Sequence, residues 1–317
     1  MKQDYEWYNA QLHNHTCHSD GRASVAKTID LLRERGAQVL ALTDHNAASG
    51  NEEFLKCCAE RGVIGIRGNE ISTYFGHVVG LGLEEYVDWR YMRPDDPESI
   101  FDLIHERGGL CGYAHPIRIG YPLVPGCSWL FRIHDYSRID YYEILNTGDY
   151  LRSRNDMVIE EWIGKLREGL LHLGAVSALD YHGRPWHGHE YVTWLALPHR
   201  MENPEKSAME AIRRQNMIVC KDRLIELNLV GSDGKEYIPG ERVPDGPVRL
   251  RVRAEGDALP ARPVYHADDA DSRREIRPDV PFEAKGFAVV RLFDGQADFD
   301  HLVAITNPFH FGGRREQ

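Results

Sequence analysis

His13, His15, His18 and Asp20 fall within eight residues, in the stretch QLHNHTCHSDG from Gln11 to Gly21. Imidazole and carboxylate without paired thiolates are the ligands of Zn, Mn and Fe. On a strand, residues two apart leave the same face, so His13 and His15 could reach one ion together. The Ser19-Asp20-Gly21 turn can carry a carboxylate past the strand end. One His-X-His pair arises by chance in many chains; here the pattern recurs. His45 in LTDHN, Glu70 in GNEIS, His77 in GHVVGLG, His115 in YAHP, and Asp180 and His182 in LDYH each border an apolar β-like run. Asp180 and His182 repeat the two-apart spacing. These nine candidate ligands (His13, His15, Asp20, His45, Glu70, His77, His115, Asp180, His182) exceed what one tetrahedral ion takes. They suit two or three divalent ions sharing a bridging carboxylate. No Gly-rich dinucleotide loop follows a strand, so no organic cofactor is expected.

The elements that must position these residues read off the periodicity. A strand is expected over Tyr8–His15, then a helix over Val25–Arg35 capped by Ser24. Strand Gln38–Thr43, helix Glu52–Arg61, a strand from Val63 that leads to Glu70, and strand His77–Leu83 follow. A helix from Asp96-Pro97-Glu98 to Arg107 precedes strand Gly109–Ala114, an irregular stretch over Ile117–Ile139 and strand Tyr141–Leu145. Helix Arg154–Glu168 and strand Leu171–Leu179 complete seven strands. Such alternation predicts parallel strands, with the ligands on the rim at their carboxyl ends. Beyond a helix from Asn203 to about Gln215 the pattern changes. The short runs Leu224–Val230, Val248–Val252, Gly286–Leu292 and Leu302–Thr306 suit a small antiparallel sandwich. Two domains are expected, 1–215 and 216–317.

The chain of 317 residues has a formal charge of −11. That balance disfavours a nucleic-acid scaffold or an anionic membrane as partner. The start, MKQDYEWYNAQ, lacks the apolar segment of a secretory signal, and no apolar run approaches the roughly 20 residues of a membrane span. Six cysteines without Cys-x-x-Cys spacing read as reduced thiols in a cytoplasmic protein. Cys17, beside the His-X-His pair, is expected to be a packing residue.

Taken together and in order, LHNHTCHSDG, LTDHN, GNEIS, GHVVGLG, YAHP and LDYH resemble the PHP superfamily, named for DNA polymerase and histidinol phosphatase. The resemblance covers about the first two hundred residues. It implies a distorted seven-stranded β/α barrel with a trinuclear metal site. By that likeness His13 and His15 hold one ion with Glu70 and Asp180. Glu70 bridges to a second ion, completed by His115 and His77, and the third takes Asp20, His45 and His182. AITNPFH and EYVTW resemble a two-domain branch with a C-terminal β-sandwich, which includes carbaryl-hydrolase-like proteins.

Three ions bring six positive charges against three from Asp20, Glu70 and Asp180, so the site suits a small anionic substrate. A bridging water that loses its proton near neutral pH is the expected nucleophile, and the ions stabilise charge developing on the substrate. Glu70, Asp180 and His182 are expected to act in catalysis, with His18 as proton donor and His187, His189 or a metal-bound water as alternatives. Arg118 and Arg184 are placed to bind a phosphate. Tyr121, Trp129, Phe131 and Trp186 could wall the pocket or pack against the C-terminal domain, and Asp44 could orient His45 or cap the strand end. The expected function is a metal-dependent phosphoesterase acting on a small phosphomonoester or nucleotide-like phosphodiester. The alternatives are hydrolysis of an uncharged ester, carbamate or amide, and a metal-stabilised binding module without turnover. The oligomeric state is left open.

Overall fold

The computed structural model describes residues 4–120, 126–146, 154–183, 190–254, 256 and 258–312. Arg184, Trp186, His187, His189 and Tyr121 lie outside them. The first half runs β1 (Tyr5–Gln11), α1 (Val25–Arg33), β2 (Val39–Ala41), α2 (Asn51–Glu60), β3 (Ile64–Ile66), β4 (Gly68–Thr73), β5 (Gly76–Leu81), α3 (Glu98–Glu106), β6 (Leu110–Tyr113), β7 (Tyr141–Asn146), α4 (Asn155–Arg167) and β8 (Gly174–Ala178). Ser24 caps α1 by accepting from the Lys27 N–H. Through Val25, Ile29 and Leu32 that helix packs with Phe54 and Cys58 of α2 against Leu40.

These strands form two sheets rather than one. The expected third strand is two, β3 and β4, broken at Arg67. Gly68 marks the change of sheet: a Cβ there would lie 2.8 Å from the carbonyl oxygens of both Gly80 and Leu42. Only glycine lets the backbones approach so closely. β1, β2 and β3 pair in parallel, as do β6, β7 and β8. The expectation of parallel strands throughout fails at β5, which runs antiparallel to both β4 and β6. The cause is local: Tyr74-Phe75 alone connects β4 to β5, and two residues can make only a hairpin.

The sheet β4-β5-β6-β7-β8 meets the sheet containing β1–β3 at two isolated parallel bridges, Asn14 with Tyr181 and His45 with Glu70. Between them Ala10, Val39, Ile66, Val79, Leu110, Tyr141 and Val176 make a shared interior core. Below the first bridge, side chains rather than a strand seal the edge of β8. The Asn307 amide accepts from the Ala175 N–H at 2.7 Å and donates to the Ala175 carbonyl at 2.8 Å. Thr193 Oγ1 accepts from the Ser177 N–H at 2.8 Å. Asn307 lies in AITNPFH and Thr193 in EYVTW, so both stretches serve this seam.

The second half adds β9 (Tyr191–Pro198), α5 (Pro204–Arg213), β10 (Met217–Lys221), β11 (Ile225–Val230), β12 (Glu236–Tyr237), β13 (Arg249–Ala254), β14 (Pro263–Asp268), β15 (Arg273–Ile276), β16 (Phe287–Asp294), β17 (Leu302–Thr306) and β18 (Phe309–His310). β9 pairs antiparallel with β1, and β10 joins β9 to β17. One ten-stranded sheet therefore runs from β3 to β15, and it is unbroken where the sequence changes character near residue 215. The three strands β12-β11-β13 form a separate sheet. Leu227 and Leu250 from that sheet share a core with Trp7, Ile218, Val290 and Ala304. Glu160 of α4 reaches β16 by accepting from Arg291 Nη1 at 2.7 Å, and Arg291 is paired in turn with buried Asp268. All six cysteines are free, and only Cys17 is exposed, so it is not the packing residue expected from the sequence. Among the described residues no helix is long and apolar enough to cross a membrane.

Candidate metal centre

The candidate ligands gather where the two sheets meet. Backbone bonds from His15 N to Tyr181 O (2.8 Å) and Tyr181 N to His13 O (3.2 Å) hold the His-X-His segment against the end of β8. Glu70, wholly buried, is the centre of the cluster. Its Oε2 lies 3.2 Å from His13 Nε2, 3.4 Å from His15 Nε2 and 2.8 Å from His45 Nδ1. Its Oε1 lies 2.9 Å from His77 Nδ1 and 3.2 Å from His115 Nε2. Asp180 Oδ1 is 3.4 Å from His13 Nε2 and 3.1 Å from His15 Nε2. At the open side, Asp20 Oδ1 stands 3.1 Å from His182 Nε2 and 3.5 Å from His45 Nε2. Three ligand groups result: His13, His15, Glu70 and Asp180; His15, Asp20, His45 and His182; and His45, Glu70 and His77. His115 joins through Glu70 Oε1. All nine residues singled out in the sequence are thus brought together.

A set of surrounding groups orients them. Glu143, inside β7, contacts His13 Nδ1 through Oε1 at 2.7 Å and accepts the His115 N–H on Oε2 at 3.0 Å. The His115 ring is turned by a bond from Nδ1 to the Cys127 carbonyl at 3.1 Å. Asp44 holds the 16–19 turn rather than His45: it accepts from Thr16 N and Oγ1 at 2.7 and 2.6 Å, and from Ser19 Oγ at 2.6 Å. His45 is set instead by Ser72 Oγ at 2.5 Å from Nδ1. Two ligands sit in the left-handed region, His115 at φ 29° and Asp180 at φ 49°. Such backbone is uncommon outside glycine and clusters at functional sites.

The electrostatics ask for cations. Burial alone would raise the Glu70 carboxyl, but the His13, His45 and His77 rings overcome it and hold it well below the usual range. Asp180 is likewise held well down against burial, by His13, His15 and Arg118. Burial also opposes charge on His13 and His45. Glu143, Glu70 and Asp180 raise His13 well above its ordinary value, and Glu70 brings His45 up to about 9. Burial dominates at His15 and takes it down to about 4. Two buried carboxylates thus stay ionised in a pocket that must supply positive charge. His13 Nε2, His15 Nδ1 and Glu70 Oε2 are buried with no hydrogen-bond partner, which is unusual for native polar atoms. Donor type, convergence and unsatisfied atoms all fit divalent ions.

Other expected residues fall elsewhere. His18 turns away toward α2, with Nδ1 at 2.8 Å from Ser49 Oγ and Nε2 at 3.6 Å from Glu53. Its partners are therefore not the nine ligands. Arg118 does reach the cluster, donating from Nη1 to Asp180 Oδ2 at 2.5 Å. Trp129 and Phe131 pack rather than line the site. Trp129 donates to the Ala114 carbonyl and stands edge-on to Tyr113, and Phe131 is buried over Gly76. Glu143 was missed by sequence reading. Its one signal is an acid in the middle of the buried run YYEILN.

The PHP domain family model matches residues 11–228. An uncharacterized protein of Methanocaldococcus jannaschii is 32% identical over 118 residues, which cover 34% of this chain and 67% of that one. A 3',5'-nucleoside bisphosphate phosphatase of Chromobacterium violaceum is 38% identical over 80 residues, 24% of this chain and 28% of the enzyme. The chain therefore spans under a third of that enzyme's length. A two-domain protein from Bacteroides vulgatus, containing a predicted PHP-like metal-dependent phosphoesterase, matches over 96% of both chains with a TM-score of 0.54 at 13% identity. That likeness is one of fold.

Proposed function

Because the chain belongs to the PHP domain family, we propose that it is a multinuclear metal-dependent phosphoesterase acting on a small phosphomonoester or a nucleotide-like phosphodiester. The observation that carries this reading is the division of labour at Glu70. Its two oxygens face different histidines, His13, His15 and His45 on one side and His77 and His115 on the other. One carboxylate so placed suits two neighbouring ions, and Asp20 with His45 and His182 suits a third. Divalent Zn, Mn or Fe held there supplies Lewis-acid polarisation of a phosphoryl oxygen and a water acidic enough to act as nucleophile near neutral pH.

The chain's own residues position the rest. His13, His15, Glu70 and Asp180 form the closed inner floor, and Asp20 and His182 face the open side where a substrate enters. Arg118 is the cation nearest the ligands among the described contacts. Its fork, now on Asp180, can turn one N–H to a phosphate oxygen while keeping another on Asp180. Arg184 is proposed as a second phosphate contact. His18, held by Ser49, is not retained as proton donor. The nucleoside bisphosphate phosphatase among the relatives supports a phosphorylated substrate. The C-terminal strands are proposed to brace the barrel-like half rather than to contribute ligands.

The test pairs metal analysis with three model substrates: a phosphomonoester, a phosphodiester and a naphthyl carbamate, with Glu70→Ala and Asp180→Ala as controls. At least two metal equivalents and phosphate ester turnover lost in both variants are expected. Fewer than two equivalents after reconstitution would remove the multinuclear site. Carbamate turnover without phosphate ester turnover would replace the substrate class.

A further inference from the structure

Glu143 lies on none of the stretches that mark the ligands, yet it is 1% exposed and touches two of the ligand residues at once. On β7 it shares the inward face with Tyr141, whereas Tyr142 and Ile144 face the outer core. The register of β7 on β8 shifts between Glu143 and Leu145, an irregularity of the kind that re-aims side chains beside active sites. The aim matters because both carboxylate oxygens are engaged. Oε2 accepts a backbone N–H, that of His115, and a backbone N–H can only donate. Oε1 faces His13 Nδ1, whose other nitrogen, Nε2, points at Glu70 and Asp180. For Nε2 to offer its lone pair to an ion, the ring proton must sit on Nδ1 and be donated to Oε1.

We propose that Glu143 is a positioning residue of the metal centre: it selects the His13 tautomer whose Nε2 can ligate, and through the His115 N–H it holds a second ligand at its left-handed backbone. One carboxylate then sets ligands on both sides of Glu70, since His13 faces Glu70 Oε2 and His115 faces Oε1. Only a group with two acceptors can do this. Glutamine has the same shape but one acceptor. If its oxygen faces His13, its NH2 opposes the His115 N–H. If its NH2 faces His13, Nδ1 must accept, the proton moves to Nε2, and the ligand is lost. The inference rests on the reading that this cluster holds metal ions.

The experiment compares the full chain with Glu143→Gln and Glu143→Ala. Zn affinity is read by competition with a chromophoric chelator, stoichiometry by elemental analysis, and the His13 ring protons by long-range nitrogen–proton NMR of Zn-loaded protein. Circular dichroism checks that each variant is folded. Gln is expected to lose affinity about 10–100-fold, the range for partners of metal-bound histidine, and to lose as much as Ala. The hydrogen-bonded His13 Nδ1–H signal of the parent is expected to shift or vanish in Gln, according to which end of the amide faces His13. If Gln keeps parental affinity while Ala loses it, Glu143 only fills space and the inference is overturned. Parental affinity and an unchanged His13 signal in both variants overturn it as well. A parent chain that binds fewer than two ions overturns the metal reading, and this inference with it, before any variant is compared.

Discussion

Asn307→Ala should destabilise the protein although Asn307 lies in a different sheet segment from every ligand. The Asn307 side chain is wholly buried and acts as a substitute strand for β8, satisfying both the N–H and the C=O of Ala175. Removal leaves these two buried backbone groups unpaired, at about 1–3 kcal/mol each. Its third bond, to the Met217 carbonyl at 3.3 Å, is backed by the Asn307 N–H to the same oxygen at 3.2 Å, so little is lost there. Water entering the small cavity offsets part of the cost, and we expect a loss of about 3 kcal/mol. For a chain of this length, with an unfolding entropy near 2.1 cal/mol/K per residue, that lowers Tm by about 5 °C. Asn307→Asp is the sharper variant. It keeps an acceptor for the Ala175 N–H but sets a second oxygen against the Ala175 and Met217 carbonyls, burying an unpaired charge. Asp should therefore melt below Ala although it is nearly isosteric with Asn. Thermal unfolding of metal-saturated protein reads both. An Ala variant within about 1 °C of the parent, or an Asp variant as stable as Asn, would refute the seam role.

Thr193→Val, which removes the acceptor of the Ser177 N–H at the same seam, should lower stability by about 1–2 kcal/mol in urea unfolding; an unchanged midpoint would count against it. Gly112→Ala should cost about 1–3 kcal/mol through overpacking, because its new Cβ would fall 2.3 Å from the Tyr141 ring; calorimetry checks this. Arg118→Ala should raise KM for a phosphorylated substrate at least about tenfold with metal content retained, and Arg118→Lys should restore only part of the loss; an unaltered KM removes Arg118 from substrate binding. Chelation should lower Tm, through a stability loss of about 4 kcal/mol for each site filled at a thousandfold its Kd. It should also speed hydrogen exchange at the His15 and Tyr181 amides, and equal exchange with and without metal would separate the ions from the seam.

The convergence of the candidate ligands was legible in sequence because every one but Asp20 interrupts or ends an apolar run, where a histidine or acid stands out. His13 and His15, or Asp180 and His182, announce themselves by a spacing of two on a strand. Glu143 was not legible, because one acid inside YYEILN gives no sign that its partners are an imidazole 130 residues earlier and a backbone N–H 28 residues earlier. The roles of Asn307 and Thr193 were hidden for a related reason: both bond to backbone atoms, which carry no residue identity. His18 misled because sequence proximity to His15 says nothing about direction. The turn held by Asp44 sends Asp20 to the ligands and His18 to Ser49. The antiparallel turn of β5 could have been seen, since Tyr74-Phe75 is too short for a crossover. The continuous ten-stranded sheet could not, because pairing of β10 with both β9 and β17 joins residues up to 88 apart.

The position of the metal centre follows from how the two sheets meet. The sheet of β1–β3 supplies His13, His15 and His45 from its strand ends, and the sheet of β4–β8 supplies Glu70, His77, His115, Asp180 and His182. Every one of the three ligand groups draws on both sheets. Only two isolated backbone bridges, Asn14 with Tyr181 and His45 with Glu70, join the sheets there among the described residues, and each lies within the ligand cluster. A junction this thin in hydrogen bonds would open easily if its carboxylates were left to repel one another. Divalent ions held from both sides would replace that repulsion with attraction and would supply the cross-links that a continuous ladder otherwise provides. The gap that keeps the strands from closing into one ladder is also the room that ions and, on the proposed function, a phosphate would need. The left-handed residues His115 and Asp180 sit on its rim, where a regular strand would have pointed their side chains elsewhere. Imperfect closure and metal binding are, on this account, one feature of the fold, and Asn307 and Thr193 confine it to the end of the seam where the ligands are.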